Sequence, residues 1–379
     1  MVINNKIAFY IFLALAMIFT SIACVEPFKL NVPTLSVILS IDASLSDQNK
    51  EQFIVIKKTI PSNNPGATFV SEDKAKVVVV EDNTKNFNCT EGKLGVYYLP
   101  LGFKTKVGST YYLKVTLANG NVYQSSVEKM LNTPDISDSK VIFDKKAIRI
   151  GENSRPGHLI YVNTKDNPEK GDNLFWKYRV FENQNTCFSC DGGIYLTSPS
   201  PTGSCLKRAD LTSEGITYDY TCSSRCWEIF YSTQINVLSD VFSNGNEIKN
   251  RLIAQIPFYQ NLGFLIEISQ QNIDSKAFQF LKQLIEQNQN NGSLIDAPPS
   301  PLIGNIKNLN DPKEAVGGYF MVGNIKTKTI WVPRTENEQG SGLLGRPVNN
   351  EPSSPGRPPT APCIKSNTRT PLKPEGWPS

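Results

Sequence analysis

Histidine is almost missing from this chain: among 379 residues there is one, His158. Imidazole is the usual general base near neutral pH and the commonest metal ligand. A catalytic triad or a zinc hydrolase site would therefore have to be built around that single ring. It stands in Arg155-Pro156-Gly157-His158-Leu159, which reads as a turn entering a strand, and a surface or strand-edge histidine is the expectation. Basic blocks are missing too. The net charge is +4, with Lys and Arg scattered among Asp and Glu, so nucleic-acid binding, which wants a dense cationic face, is not expected. No phosphate-cradling glycine loop, HExxH, GxSxG or calcium-loop pattern occurs. The carboxylate pairs Glu72-Asp73 and Glu81-Asp82 fall in a turn and at a strand end, where solvation is the ordinary outcome. Neither a catalytic constellation nor a cofactor is expected.

What is present begins with one long apolar run. Asn4, Asn5 and Lys6 precede the uncharged stretch Ile7 to Cys24, an order that describes a secretory signal. At ~1.5 Å per residue this run makes a helix of roughly 25 Å, short for a membrane span of ~30 Å. Ser21-Ile22-Ala23-Cys24 resembles a bacterial lipobox, in which the cysteine is acylated and becomes the first mature residue. Ser21 departs from the leucine usual there, and cleavage after Ala23 without lipid, or an uncleaved anchor, are the alternatives. Residues 1–23 are thus read as a lipoprotein signal, Cys24 as the lipidation site, and 24–33 as a tether.

Frequent Gly and Pro (25 each) and short apolar runs argue many strands and few helices. Leu35, Val37, Leu39 and Ile41 alternate on one face, and strands follow at Phe53–Lys57, Lys76–Glu81, Leu94–Leu99 and Thr110–Leu117. Asn119-Gly120 supplies a tight hairpin that returns along Asn121–Ser126. These strands predict a β-sandwich of immunoglobulin-like or transthyretin-like type over 34–132. Tyr97, Tyr111 and Tyr123 could meet a ligand there, with core packing the commoner fate of such residues. Asn132-Thr133-Pro134-Asp135 reads as a boundary, and 133–333 as a larger β-rich domain. In it Leu174–Phe181 sets Trp176, Tyr178 and Val180 against Phe175, Lys177 and Arg179 on the other face. One amphipathic helix is predicted over 275–290, capped by Asp274 or Ser275, with Ala277, Phe278, Leu281, Leu284 and Ile285 facing the sheet. Gly317–Val332 looks like a closing hairpin. From Arg334 nine prolines fall among 46 residues, which predicts an unpacked tail, 334–379, pinned by Cys363 and Trp377. The fold class is all-β with one helix.

Eight cysteines occur, five of them within 187–226. Cys187-x-x-Cys190 has the spacing of a zinc knuckle. The loop 183–225 has little apolar residue to hold it, however, and an oxidising exported compartment favours crosslinks. Disulfides are therefore expected among Cys187, Cys190, Cys205, Cys222, Cys226 and Cys363, with pairing open and no metal. Cys89 is the candidate buried free thiol. A hydrolase using Cys187 or Cys190 with His158, and an adhesin acting through its tail, remain as other readings.

Cys24-Val25-Glu26-Pro27-Phe28, the strand with Trp176, Cys226-Trp227 and the helix followed by Gly292-Ser293-Leu294 come in a set order. Pro298-Pro299-Ser300-Pro301, Gly304-Asn305-Ile306, Gly317-Gly318-Tyr319-Phe320 and Pro374-Glu375-Gly376-Trp377 continue it. The order resembles the family catalogued as domain of unknown function 4249, lipoproteins of the phylum Bacteroidota. The resemblance implies an outer-membrane lipoprotein with no defining enzymatic activity, of a kind often encoded beside a TonB-dependent transporter barrel. An accessory or capture subunit of such an uptake system is the expectation it carries.

Overall fold

A computed structural model describes residues 37–60, 68–198, 200, 203–207, 215–258, 260–289, 302–335, 348–351 and 360–378. The apolar run Ile7 to Cys24, the tether and the helix-ending Asn291-Gly292 lie outside the described residues. Among the described residues, no helix is long and apolar enough to cross a membrane.

Among the described residues the chain is all-β with a single α-helix. Alternation drives the first sandwich. Leu39, Ile41, Ala43 and Leu45 point inward along Leu39–Ser46, while Val37, which the alternation had placed on the same face, is exposed; Leu35 lies outside the described residues. That strand lies beside Phe53–Ile60 in one sheet; Lys76–Glu81, Thr110–Thr116 and Val122–Ser125 build the other. Gly120, at a φ of 89°, makes the tight turn between the last two. Tyr97, Tyr111 and Tyr123 are core residues, not ligand contacts. Each hydroxyl is partnered, by Glu72 O, Glu81 and Glu314 respectively. Glu81, expected in solvent, is buried under Lys85, Lys106 and the Tyr111 hydroxyl.

The chain later returns to this sandwich. Ile306–Asn308 pairs with Val122–Ser125, and Phe320–Gly323 runs parallel to Leu39–Ser46 with Ala43 opposite Phe320. Ile306, Val316, Phe320 and Val322 thereby complete a core begun almost three hundred residues earlier. Gly317–Val332 is consequently no hairpin. Phe320–Gly323 belongs to the first sandwich, and Ile325–Val332 crosses to the second, where it pairs with Phe264–Asp274.

The second sandwich packs a three-stranded sheet (Ile136–Ile150, Asn153–Lys165, Glu247–Pro257) against a larger one. The larger sheet runs in the order Ile325–Val332, Phe264–Asp274, Asp172–Asn183, Trp227–Tyr231, Arg369–Thr370. Leu174, Trp176 and Val180 enter the core between the sheets. The Trp176 indole donates to Gln270 at 2.7 Å, which settles its one polar atom. Phe175, on the opposite face, packs against the helix Ser275–Gln289. Asp274 Oδ1 caps that helix, accepting from Ala277 N at 2.8 Å. Ala277 and Leu281 bury against Phe175, Ile273, Tyr319 and Met321, so the helix also touches the returning segment of the first sandwich.

Two expectations give way here. His158 is fully buried at the centre of Asn153–Lys165, with its ring among Phe143, Phe258 and Phe264, because Pro156 and Gly157 continue the strand instead of turning it. Arg334, where an unpacked tail was expected to start, is also buried. It lies 2.9 Å from Glu182 Oε1 and over the ring of Phe264.

Candidate ligand groove and its cross-linked wall

The outward face of the larger sheet carries a row of four side chains in register: Tyr231, Arg179, Glu267 and Thr329. Successive side chains on a strand alternate between faces. The same alternation that sends Val180 into the core therefore places Arg179 outside. Arg179 Nη2 donates to Glu267 Oε2 at 2.8 Å, and its Nε lies 2.8 Å from Oε1, an ion pair carried by one hydrogen bond.

Over this floor lies the C-terminal segment, 365–376, enclosing a groove of about 680 Å³. Composition alone would leave the segment unpacked, and three features hold it. Cys363 is bonded to Cys226. Arg369–Thr370 adds a short strand to Trp227–Glu228, Ile229 N donates to Thr368 O at 2.8 Å, and the Tyr231 hydroxyl donates to Asn367 O at 2.9 Å. Trp377 sets its ring edge against Trp227 and Trp331, with centroids 5.9 and 4.8 Å apart. Residues 360–378 are thus part of the folded body, not a free tail, because a crosslink and one tryptophan supply what the sparse apolar residues do not.

The cysteine-rich stretch is also more ordered than its composition suggests. Thr186–Asp191, Thr217–Cys222 and Thr360–Ala361 form a small sheet, and Ile194–Leu196 pairs with Ser204–Leu206. Disulfides join Cys187 to Cys222, Cys190 to Cys205 and Cys226 to Cys363. All six cysteines named from the sequence are used. The zinc-knuckle pair is split, since Cys187 and Cys190 go to different partners. Sγ atoms of Cys187, Cys226 and Cys363 do lie within 4.8 Å of one another, but each is spent in a disulfide and offers no thiolate. Cys187 and Cys190 sit in this module's own core and His158 in that of the second sandwich, so the structure does not bring them together. Cys89 is the free cysteine among the described residues; burial pushes its thiol up to about 12, which leaves it inert.

Charge around the groove is uneven. Lys365 and Lys373 are exposed on its wall beside Arg369, whose Nη1 donates to Cys187 O at 2.9 Å. Lys177 stands one row along the floor, over the ring of Phe175. Lys50, from the first sandwich, is near enough to both Lys177 and Arg179 that each pairing is repulsive. Surrounding protein, then that repulsion, holds both lysines below their usual range. Nothing in the sequence had marked this groove. The usable signal was the Lys177/Arg179 face of a strand whose other face is all core.

The sequence profile of a family described as Domain of unknown function (DUF4249) matches residues 25–329. This chain belongs to the DUF4249 family. The DUF4249 match takes in both sandwiches, the helix and the segment that returns to the first sandwich, but ends before Cys363 and the groove wall. Comparison with curated proteins finds no match.

Proposed function

We propose that this DUF4249 protein is a lipid-anchored outer-membrane protein that serves as an accessory or capture subunit of a TonB-dependent uptake system. The observation that supports this best is the groove itself. It is an open, preformed concavity on a rigid sheet, with one wall cross-linked to the body, and such sites hold small ligands without large ordering costs. Three disulfides suit an oxidising compartment outside the cytoplasm, in keeping with a secretory signal. Acylation at Cys24, with 25–33 as spacer, would keep the two sandwiches beside the bilayer. The resemblance to Bacteroidota lipoproteins adds the partner, a transporter barrel that would receive what the groove holds. The test is isolation of the tagged protein from its native envelope in mild detergent. Recovery of a large β-barrel with it is the expected result, and repeated recovery of the protein alone contradicts the proposal.

A further inference from the structure

The groove's charge does not balance internally. Glu267 is taken by Arg179. Asp47 accepts from the Asn324 amide and Ile325 N but keeps its charge, and it offsets part of that of Lys50. Glu375 is the carboxylate left on the wall. Against it stand Lys365 and Lys373 on the wall, with the partly exposed Arg369 beside them and Lys177 and Lys50 outside the lining; none of the four lysines is in an ion pair among the described residues. Like charges gathered in concave ground repel one another and raise the energy of the empty site, and an anion relieves that cost.

The remaining lining narrows the class of anion. Thr329, Ser366, Asn367 and Thr370 offer hydroxyl and amide groups, and Tyr231 presents a half-exposed ring at the groove side. Hydroxyls, amides and an aromatic face are what a sugar ring needs: hydrogen-bond partners for its own hydroxyls and an apolar surface for its C–H face. A peptide would want backbone partners instead. The groove floor is the face of a paired sheet, whose N–H and C=O groups are already used in the ladder. Lys177, one row along the same sheet face, and Lys50 beside it stand outside the groove's lining, so cationic groups continue beyond Lys365 and Lys373, which suits charges repeated along a chain.

We infer that the groove binds an acidic oligosaccharide whose rings carry carboxylates, such as a chain of uronic acids, with Lys365 and Lys373 as its principal cationic contacts. The lowered ammoniums of Lys50 and Lys177 agree with this, since a bound carboxylate would restore them. This ligand class rests on the capture reading above.

The experiment is calorimetric titration of the purified full-length protein in detergent with trigalacturonate, beside maltotriose as a neutral trisaccharide and hexaglutamate as an acidic peptide. Trigalacturonate is expected to bind, more weakly as salt rises, and maltotriose not to bind. The double variant Lys365→Glu/Lys373→Glu, both positions being exposed, should keep the parent melting temperature and weaken trigalacturonate by about tenfold or more. Lys177→Glu on the floor should weaken it independently of the wall. No trigalacturonate binding, binding untouched by these variants, or equal or tighter binding of hexaglutamate overturns the inference. A barrel still co-isolated with a protein that ignores trigalacturonate overturns the ligand class alone. Trigalacturonate bound by a protein that isolates without a barrel overturns the uptake reading and keeps the ligand class.

Discussion

Cys226 and Cys363 are disulfide-bonded across a sequence separation of 137, and that bond carries the C-terminal segment onto the sheet it covers. Replacing both with serine should cost roughly 2–4 kcal/mol, the usual worth of a crosslink closing a long loop. The segment itself should come loose, since beyond Ala361, Pro374 and Trp377 it buries little. Trypsin should then cut quickly at Lys365 and Arg369 in the non-reduced variant, while Lys373 is shielded by the proline that follows it. A segment that stays protected without the bond contradicts this reading of the wall.

The buried pair Arg334–Glu182 gives a second prediction. Both side chains are almost fully removed from water, and Arg334 also donates to Pro257 O and Leu262 O. Arg334→Ala strands a carboxylate in the core and should destabilise by about 3–5 kcal/mol. Glu182→Gln with Arg334→Met removes both charges and should cost clearly less than Arg334→Ala. Denaturant midpoints of the variants decide it.

Glu128 should make stability depend on pH. Burial raises its carboxyl from 4.5 to about 7, with Ser126 Oγ and the Asn305 amide donating to it. The folded state therefore holds a proton that the unfolded state releases, and the contribution present below pH 4.5 fades as pH rises through about 7. Glu128→Gln should be near neutral at pH 4 and stabilising at pH 8, by up to about 3 kcal/mol. Equal effects at both pH values would contradict the assignment.

Gly304→Ala tests the return to the first sandwich. A Cβ on Gly304 would stand 1.5 Å from Gly318 O, and Gly318 is itself left-handed at a φ of 84°. Asn305 bonds both backbone groups of Phe320, at 2.9 and 2.8 Å, so the two stretches cannot easily part. A loss of about 3 kcal/mol is expected, read from thermal or denaturant unfolding.

Periodicity made some elements legible and could not make others so. The helix Ser275–Gln289 and the two-faced strand at Leu174–Phe181 followed from spacing, because each buries a face that the local pattern writes out. Pairing between distant segments leaves no such local trace. Nothing near Phe320 says that it will lie beside Ala43, so residues 306–323 read as part of the second domain. His158 departs from what its local sequence suggests because Pro and Gly usually turn the chain, whereas here they sit within a long strand. Proline content hid the packed C-terminus, whose hold depends on Cys363 and Trp377 and not on a run of apolar residues. The groove stayed invisible for a related reason: its cations come from separate segments that only the folded sheet assembles.

An anchored site beside the membrane requires acyl chains at Cys24. Mass spectrometry of the mature N-terminal peptide from envelope fractions tests that directly. A peptide beginning at Cys24 and carrying diacylglycerol is the predicted result; an unmodified cysteine on a protein released into the soluble fraction is the contradicting one.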